Sequence, residues 1–253
     1  MKAVLPAPET LNYQKAEPFP CAVISGMWDE EALRKVSADV RAVTDWDGEK
    51  QFFGSQAKRW VSTWGKLPDS VCDLIHYCSQ PDFLKWLEAV TGEKNLLPDP
   101  YLSGGGIHSI DTGGFLQMHA DFNWHEQIGL YRRINLLVYL NEGWLDEWGG
   151  DLRLASNEKA GLDVSKVVFP RFNETVIFTT DDRSFHGHPD PITAPEGTKR
   201  NSIALYYYSP NKPAGSAAIK RTGTDYRDMG GQQMGKKTFM KRVKGKIKRA
   251  LGV

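Results

Sequence analysis

Between residues 95 and 209 the chain breaks into eight short apolar or alternating segments, each set off by Gly, Asp or Asn. They read GGGIHSI, GGFLQMHADF, INLLVYLN, DLRLA, KVVFP, ETVIFTT, SFHGH and NSIALYYYS. Runs of this length between turn signals read as strands. So many in close succession predict a double-sheet jelly roll or a closed barrel.

The residues before this block read differently. Prolines at 6, 8, 18 and 20 keep the opening stretch extended, and CAVIS (21–25) is a short buried strand. A helix is expected from Trp28 to about Val43, with Asp29 as its cap and Leu33, Val36 and Val40 on one face. A second helical region covers residues 70–91, with a break at Pro81 and apolar positions at Leu74, Phe83, Leu84, Leu87 and Val90. The expected organisation is one domain. Residues 1–97 form a helical and extended support, 98–210 a mainly β catalytic core, and 211–253 a C-terminal extension.

The composition narrows the chemistry. With 40% hydrophobic and 25% charged residues the chain has the make-up of a soluble globular protein. No run approaches the ~18–20 consecutive apolar residues of a membrane span, and the first residues lack the apolar stretch of a secretory leader. The three cysteines, Cys21, Cys72 and Cys78, are odd in number and form no C-x-x-C pair. They read as reduced thiols of a cytoplasmic protein. That leaves His, Asp and Glu as metal ligands.

Among those, His119 and Asp121 stand two apart on a strand-like segment, so an imidazole and a carboxylate point to the same face. A second imidazole follows in Ser184-Phe185-His186-Gly187-His188. Two histidines and one carboxylate on one side of a metal leave adjacent positions open, which suits iron(II) binding an organic chelator and dioxygen together. Arg200 then opens the last strong strand, where period-2 alternation puts Arg200, Ser202, Ala204 and Tyr206 on one face. A guanidinium there can grip a carboxylate through two parallel hydrogen bonds. In INLLVYLN, Arg133, Asn135, Leu137 and Tyr139 share the mixed face that can line a cavity, while Ile134, Leu136, Val138 and Leu140 share the aliphatic one. The Tyr139 hydroxyl is thus available to the same carboxylate as Arg200. A lone histidine, or Arg200 by itself, is better explained as an ordinary surface or core side chain, and Tyr139 equally well as a strand-core tyrosine; their order along the chain is what carries weight.

Taken together, the runs GGFLQMHADFNWH, LYRRINLLVYLNEGWLDEWGGDLRL, VIFTTDDRSFHGHPDPI and KRNSIALYYYS resemble the prolyl 4-hydroxylase-like branch of the 2-oxoglutarate- and iron(II)-dependent dioxygenases. The likeness covers residues 104–209. It implies a cupin-like double-stranded β-helix, with His119, Asp121 and His186 holding Fe(II) and Arg200 binding the distal carboxylate of 2-oxoglutarate beside Tyr139. Gln117 and Ser202 are further candidates for contact with this cosubstrate. His108, His125, Asn135 and Trp124 are candidates for contact with substrate or for support behind the site. The reaction implied is hydroxylation of a C–H bond by O2, with 2-oxoglutarate leaving as succinate and CO2. An intact Asp121 carboxylate leaves no vacancy for chloride, so hydroxylation is favoured over halogenation. The implied partner is a prolyl or amino-acid substrate, free or in a peptide, or another small metabolite. The interval of fourteen residues from His186 to Arg200 is longer than in many relatives, and His188 is the rival third ligand. His186 is preferred because it continues its strand, whereas His188 precedes Pro189, where the chain leaves regular structure. The competing readings are a cupin-like metalloenzyme that needs no 2-oxoglutarate and a binding module without turnover.

The formal charge of +1 hides an asymmetry. From Lys236 onward there are eight Lys or Arg and no acid, so the first 235 residues carry −7. Phe239, Met240, Val243, Ile247, Ala250 and Leu251 recur at helical spacing among those cations. That pattern is an amphipathic basic helix able to contact an anionic surface, or to pack on its own domain. No basic, aromatic-rich surface elsewhere argues for nucleic acid.

Overall fold

Asp29 accepts the Ala32 amide at 2.9 Å and starts helix α1 (Glu30–Arg41). Its neighbours α2 (Asp69–Cys78) and α3 (Pro81–Thr91) are separated at Pro81, which occupies the first turn of α3 where its missing N–H costs nothing. All three helices follow the expected pattern, with Leu33, Val36, Leu74 and Phe83 buried in one cluster. The computed structural model describes residues 1–157 and 161–234, so the basic tail from Lys236 lies outside the described residues. Among the described residues, no helix is long and apolar enough to cross a membrane.

The strands are β1 (Cys21–Ser25), β2 (Gly48–Phe52), β3 (Ser55–Val61), β4 (Leu97–Pro98), β5 (Gly106–Ala120), β6 (Trp124–His125), β7 (Leu130–Tyr139) and β8 (Leu152–Ser156). They continue with β9 (Asp163–Val168), β10 (Glu174–Thr179), β11 (Phe185–His188), β12 (Lys199–Ser209) and β13 (Asp225–Tyr226). Pairing runs β1-β10-β7-β12-β5-β11-β8-β9 and is antiparallel throughout. The first half of β5 pairs with β12 and its second half with β11, so this single strand passes from one sheet to the other. The result is a jelly roll, the double-stranded β-helix. Ile134, Leu136, Val138, Ile203 and Leu205 turn outward from the barrel and pack in the same cluster as the helices. The opposite faces of β7 and β12 are left to line the interior.

Two expectations are corrected. GGGIHSI and GGFLQMHADF are not two strands but the fifteen-residue β5; Gly113 and Gly114 lie within it, where open bends seemed natural. The region before residue 97 also contains a hairpin, β2–β3, which pairs with β5. Its sequence, GEKQF then SQAKRWV, lacks an apolar alternation, so its backbone ladder left no periodic trace. Gly106 permits this pairing: at φ +83° a Cβ there would stand 2.1 Å from the Val61 carbonyl oxygen.

Candidate metal centre and active site

His186 faces His119 directly across the β11–β5 ladder, with the ring centroids 4.3 Å apart. Asp121 reaches the same point from just beyond the end of β5. Its Oδ1 lies 3.5 Å from His119 Nε2 and its Oδ2 3.3 Å from His186 Nε2. The three candidate ligand atoms all fall within 4.8 Å of one another, and all three residues are buried. Each imidazole is held from behind. His119 Nδ1 donates to the Gln117 carbonyl at 2.8 Å and His186 Nδ1 to the Ser184 carbonyl at 3.1 Å. A carbonyl only accepts, so Nδ1 carries the proton in both rings and Nε2 presents its lone pair.

The carboxylate is held just as firmly. Oδ2 of Asp121 accepts from Arg132 Nη2 at 2.8 Å and from Asn135 Nδ2 at 2.9 Å. Asn135 Oδ1 in turn accepts from Arg132 Nε and Thr180 Oγ1. Burial opposes ionisation of Asp121, but the Arg132 guanidinium and then the His186 imidazole hold the carboxyl well below the usual carboxylate range. Burial and the neighbouring His186 also lower His119, keeping it neutral and able to ligate. Two imidazole nitrogens and one carboxylate oxygen, without a thiolate on the cavity wall, make a donor set that fits Fe(II) with open positions.

Further along the same cavity Arg200 is 5% exposed, with Tyr139 fully buried beside it. Arg200 Nε donates to the Gly150 carbonyl at 2.6 Å and Nη2 to the Tyr139 hydroxyl at 3.2 Å. Among the described residues Nη1 has no protein acceptor, and the next inward residue is Ser202. His188 shares this wall, is 2% exposed, and has no partner at either ring nitrogen among the described residues. Burial, reinforced by Arg200 and Lys58, pushes its pKa well below the usual imidazole value. His108 also lines the cavity, with Nε2 3.0 Å from the Gly104 carbonyl oxygen. Burial and then Lys58 and Lys50 depress its pKa as well.

Three expected residues are elsewhere. The cavity wall carries Leu116, not Gln117, because β5 spends three residues where β11 spends two between His119 and Leu116. That bulge reverses the inward phase, and only Gly187 fits opposite it, since a Cβ there would meet the Gln117 carbonyl oxygen at 2.7 Å. His125 sits outside the cavity, its Nε2 2.9 Å from Ser103 Oγ and 3.5 Å from Asp99 Oδ1. Trp124 packs edge-on to Tyr131 with Lys220 Nζ 3.6 Å from its ring centroid. The same bulge logic corrects the face of β7. Its register against β12 shifts at Arg133, so Arg132 joins Asn135 inside while Arg133 pairs with Glu93 at 2.6 Å.

Sequence patterning therefore missed Arg132, and it missed Lys50 and Lys58, which the β2–β3 hairpin brings to the cavity. Tyr226 of β13 was missed as well; its ring lies 5.4 Å from that of His119. The tandem Arg132-Arg133 was the one available signal, because two adjacent arginines on a buried strand cannot both reach solvent.

Residues 105–208 match a family model described as the 2OG-Fe(II) oxygenase superfamily. A prolyl hydroxylase from Trichoplax adhaerens, solved with a hypoxia inducible factor oxygen degradation domain peptide fragment, superposes with a TM-score of 0.56 at 19% identity, covering 79% of this chain and 87% of that one. A prolyl-4-hydroxylase from Pseudomonas putida gives 0.53 at 17% identity over 80% and 98% of the two chains. HygX from Streptomyces hygroscopicus, with nickel, 2-oxoglutarate and hygromycin B bound, gives 0.52 at 14% identity over 79% and 92%. At these identities the likeness is one of fold. Curated protein sequences offer no match.

Proposed function

We propose that the chain, whose residues 105–208 match the 2OG-Fe(II) oxygenase superfamily model, is a 2-oxoglutarate-dependent Fe(II) dioxygenase that hydroxylates a C–H bond of a small-molecule or peptidyl substrate and releases succinate and CO2. His119, Asp121 and His186 would hold the iron, and Arg200 with Tyr139 and Ser202 the distal carboxylate of 2-oxoglutarate. The bound metal and cosubstrate supply the activation of dioxygen. The observation that carries the assignment is the convergence in one cavity of three ligand atoms within 4.8 Å and of the Arg200–Tyr139 pair.

The protein's own part follows from its hydrogen bonds. Arg132 and Asn135 both donate to Oδ2 of Asp121, so Oδ1 is the oxygen through which Asp121 would hold the metal. The backbone acceptors behind both imidazoles fix the ring orientation before metal binds, which favours a preorganised site. Tyr139 cannot ionise in its place: burial pushes its hydroxyl up, with Arg200 only partly opposing, so it donates to a carboxylate as a neutral phenol.

The test is an anaerobic titration of Fe(II) with and without 2-oxoglutarate. A metal-to-ligand charge-transfer band that requires both supports the reading, as does succinate formation in air. Arg200→Ala is expected to raise the KM for 2-oxoglutarate about a hundredfold, a lost charge-assisted pair being worth up to ~3 kcal/mol. Succinate release unchanged by that substitution would favour instead a metalloenzyme that does not use this cosubstrate.

A further inference from the structure

The cavity holds more positive charge than the iron, the cosubstrate and the ligands account for. Among the described residues its wall carries four cations, Lys50, Lys58, Arg132 and Arg200, against the single acid Asp121. Arg132 is spent on Asp121. Fe(II) and the 2-oxoglutarate dianion together are neutral, and the carboxylates of the dianion have takers in the metal and Arg200. Lys50 and Lys58 are left over.

Lys50 is exposed and needs no partner; it stands at the rim with Nζ 5.5 Å from the Trp60 ring centroid. Lys58 is different. It is 9% exposed and lines the cavity, and its ammonium has neither an ion pair nor a hydrogen bond among the described residues. A lysine so buried is almost always paired, because desolvating an ammonium without an anion is costly. Burial, then the charge of Lys50, bring its pKa down to about 7, and Asp121 offsets this more than Arg200 or Arg132 adds to it. Both lysines come from the β2–β3 hairpin, on the far side of β5 from the strand that carries Arg200.

We propose that Lys58, with Lys50 at the rim, is the recognition site for an anionic group of the primary substrate, a carboxylate or a phosphate. The substrate of this oxygenase is then an acidic small molecule, or a peptide reaching in with an acidic group. An anion arriving at Lys58 gives its ammonium the counter-charge it lacks and draws it back to full protonation. A neutral analogue leaves it unpaired. Selectivity therefore comes from the hairpin, not from the jelly-roll strands that carry the metal and cosubstrate residues. The inference rests on the function proposed above.

The experiment uses the full chain loaded anaerobically with Fe(II) and saturating 2-oxoglutarate at constant ionic strength. Acetate and sulfate serve as probes, their binding measured by calorimetry on the wild type, Lys58→Met, Lys58→Arg and Lys50→Gln. At least one anion is expected to bind the wild type about tenfold more tightly than Lys58→Met. Lys58→Arg should keep most of that affinity, and Lys50→Gln, an exposed change that leaves the fold intact, should lose about threefold. Preference for acetate assigns a carboxylate and preference for sulfate a phosphate. The affinity for 2-oxoglutarate, read from the charge-transfer band, should move less than the anion affinity does. The inference is overturned if neither anion prefers the wild type. It is equally overturned if Lys58→Met weakens 2-oxoglutarate and spares the probes, because Lys58 would then serve the cosubstrate. A wild type without the charge-transfer band sinks the proposed function, while the anion comparison still reports on Lys58.

Discussion

His186 and His188 stand on the same short strand, inward-facing and buried, yet their surroundings differ. His186 is oriented by the Ser184 carbonyl and aims Nε2 at Asp121, whereas neither nitrogen of His188 meets a partner among the described residues. An oriented imidazole is a prepared ligand; an unoriented one beside Arg200 and Lys58 is a neutral lining group. His186→Ala is accordingly expected to weaken iron binding by at least about a hundredfold, and His188→Ala by less than about tenfold. Equilibrium dialysis of Fe(II) under argon measures both, and the opposite order would transfer the third position to His188. Period-2 alternation places Asn135, Tyr139, Arg200 and Ser202 inward, and all four line the cavity. It failed at Gln117 and Arg133, each beside a bulge. A single inserted residue inverts the phase of a strand, and nothing in residue type announces it.

Among the elements, the β2–β3 hairpin is the one on which the substrate argument depends, and Asp47 anchors it. Its Oδ2 accepts from the backbone amides of Ser62 at 2.7 Å and Thr63 at 2.8 Å, tying the start of β2 to the end of β3. Burial raises its carboxyl, but these two amides and their neighbours outweigh it and lower the pKa to about 2. A depressed folded-state pKa means that the ionised form supports the fold above the unfolded value near ~4. That support is lost as pH falls toward about 2. Asp47→Ala should therefore cost about 1–3 kcal/mol at pH 7. The gap from wild type should close as the pH drops from about 4 toward 2, as urea unfolding across that range would show. A gap that persists at the acid end would mean that Asp47 supports the hairpin by packing and not by its charge. The hairpin was illegible beforehand because its strands are polar and bind β5 through backbone groups, whereas α1, α2 and α3 announced themselves by apolar stripes that the helix bundle then buried.

At the scale of the molecule, the site is assembled from both sheets of the jelly roll. The metal candidates lie on the β5–β11 side, and Arg200 and Tyr139 on β12 and β7. A ligand that bridges them binds the folded chain only, so it must stabilise the whole. With Fe(II) and 2-oxoglutarate at about a hundredfold over Kd the gain is ~2.7 kcal/mol, or roughly 5–10 °C in Tm for a chain of this size. Differential scanning fluorimetry under argon should show this rise and its reversal by a chelator. Asp121→Ala should abolish the shift, and a shift that survives it would place the metal elsewhere.

Local chemistry alone disclosed the strand-rich core, the three helices, the His119–Asp121 pair and the Arg200 strand, because each is written in residues two, three or four apart. Side chains that close together share a face by backbone geometry, before any tertiary contact exists. Pairing across the fold decided the rest. It merged two apparent strands into β5, turned Arg132 inward and Gln117 away, and laid a polar hairpin over the cavity. It also gave His186 its orientation and left Lys58 buried without an anionic partner among the described residues. Those outcomes depend on bulges and on partners distant in the chain, and a strand's own sequence records neither.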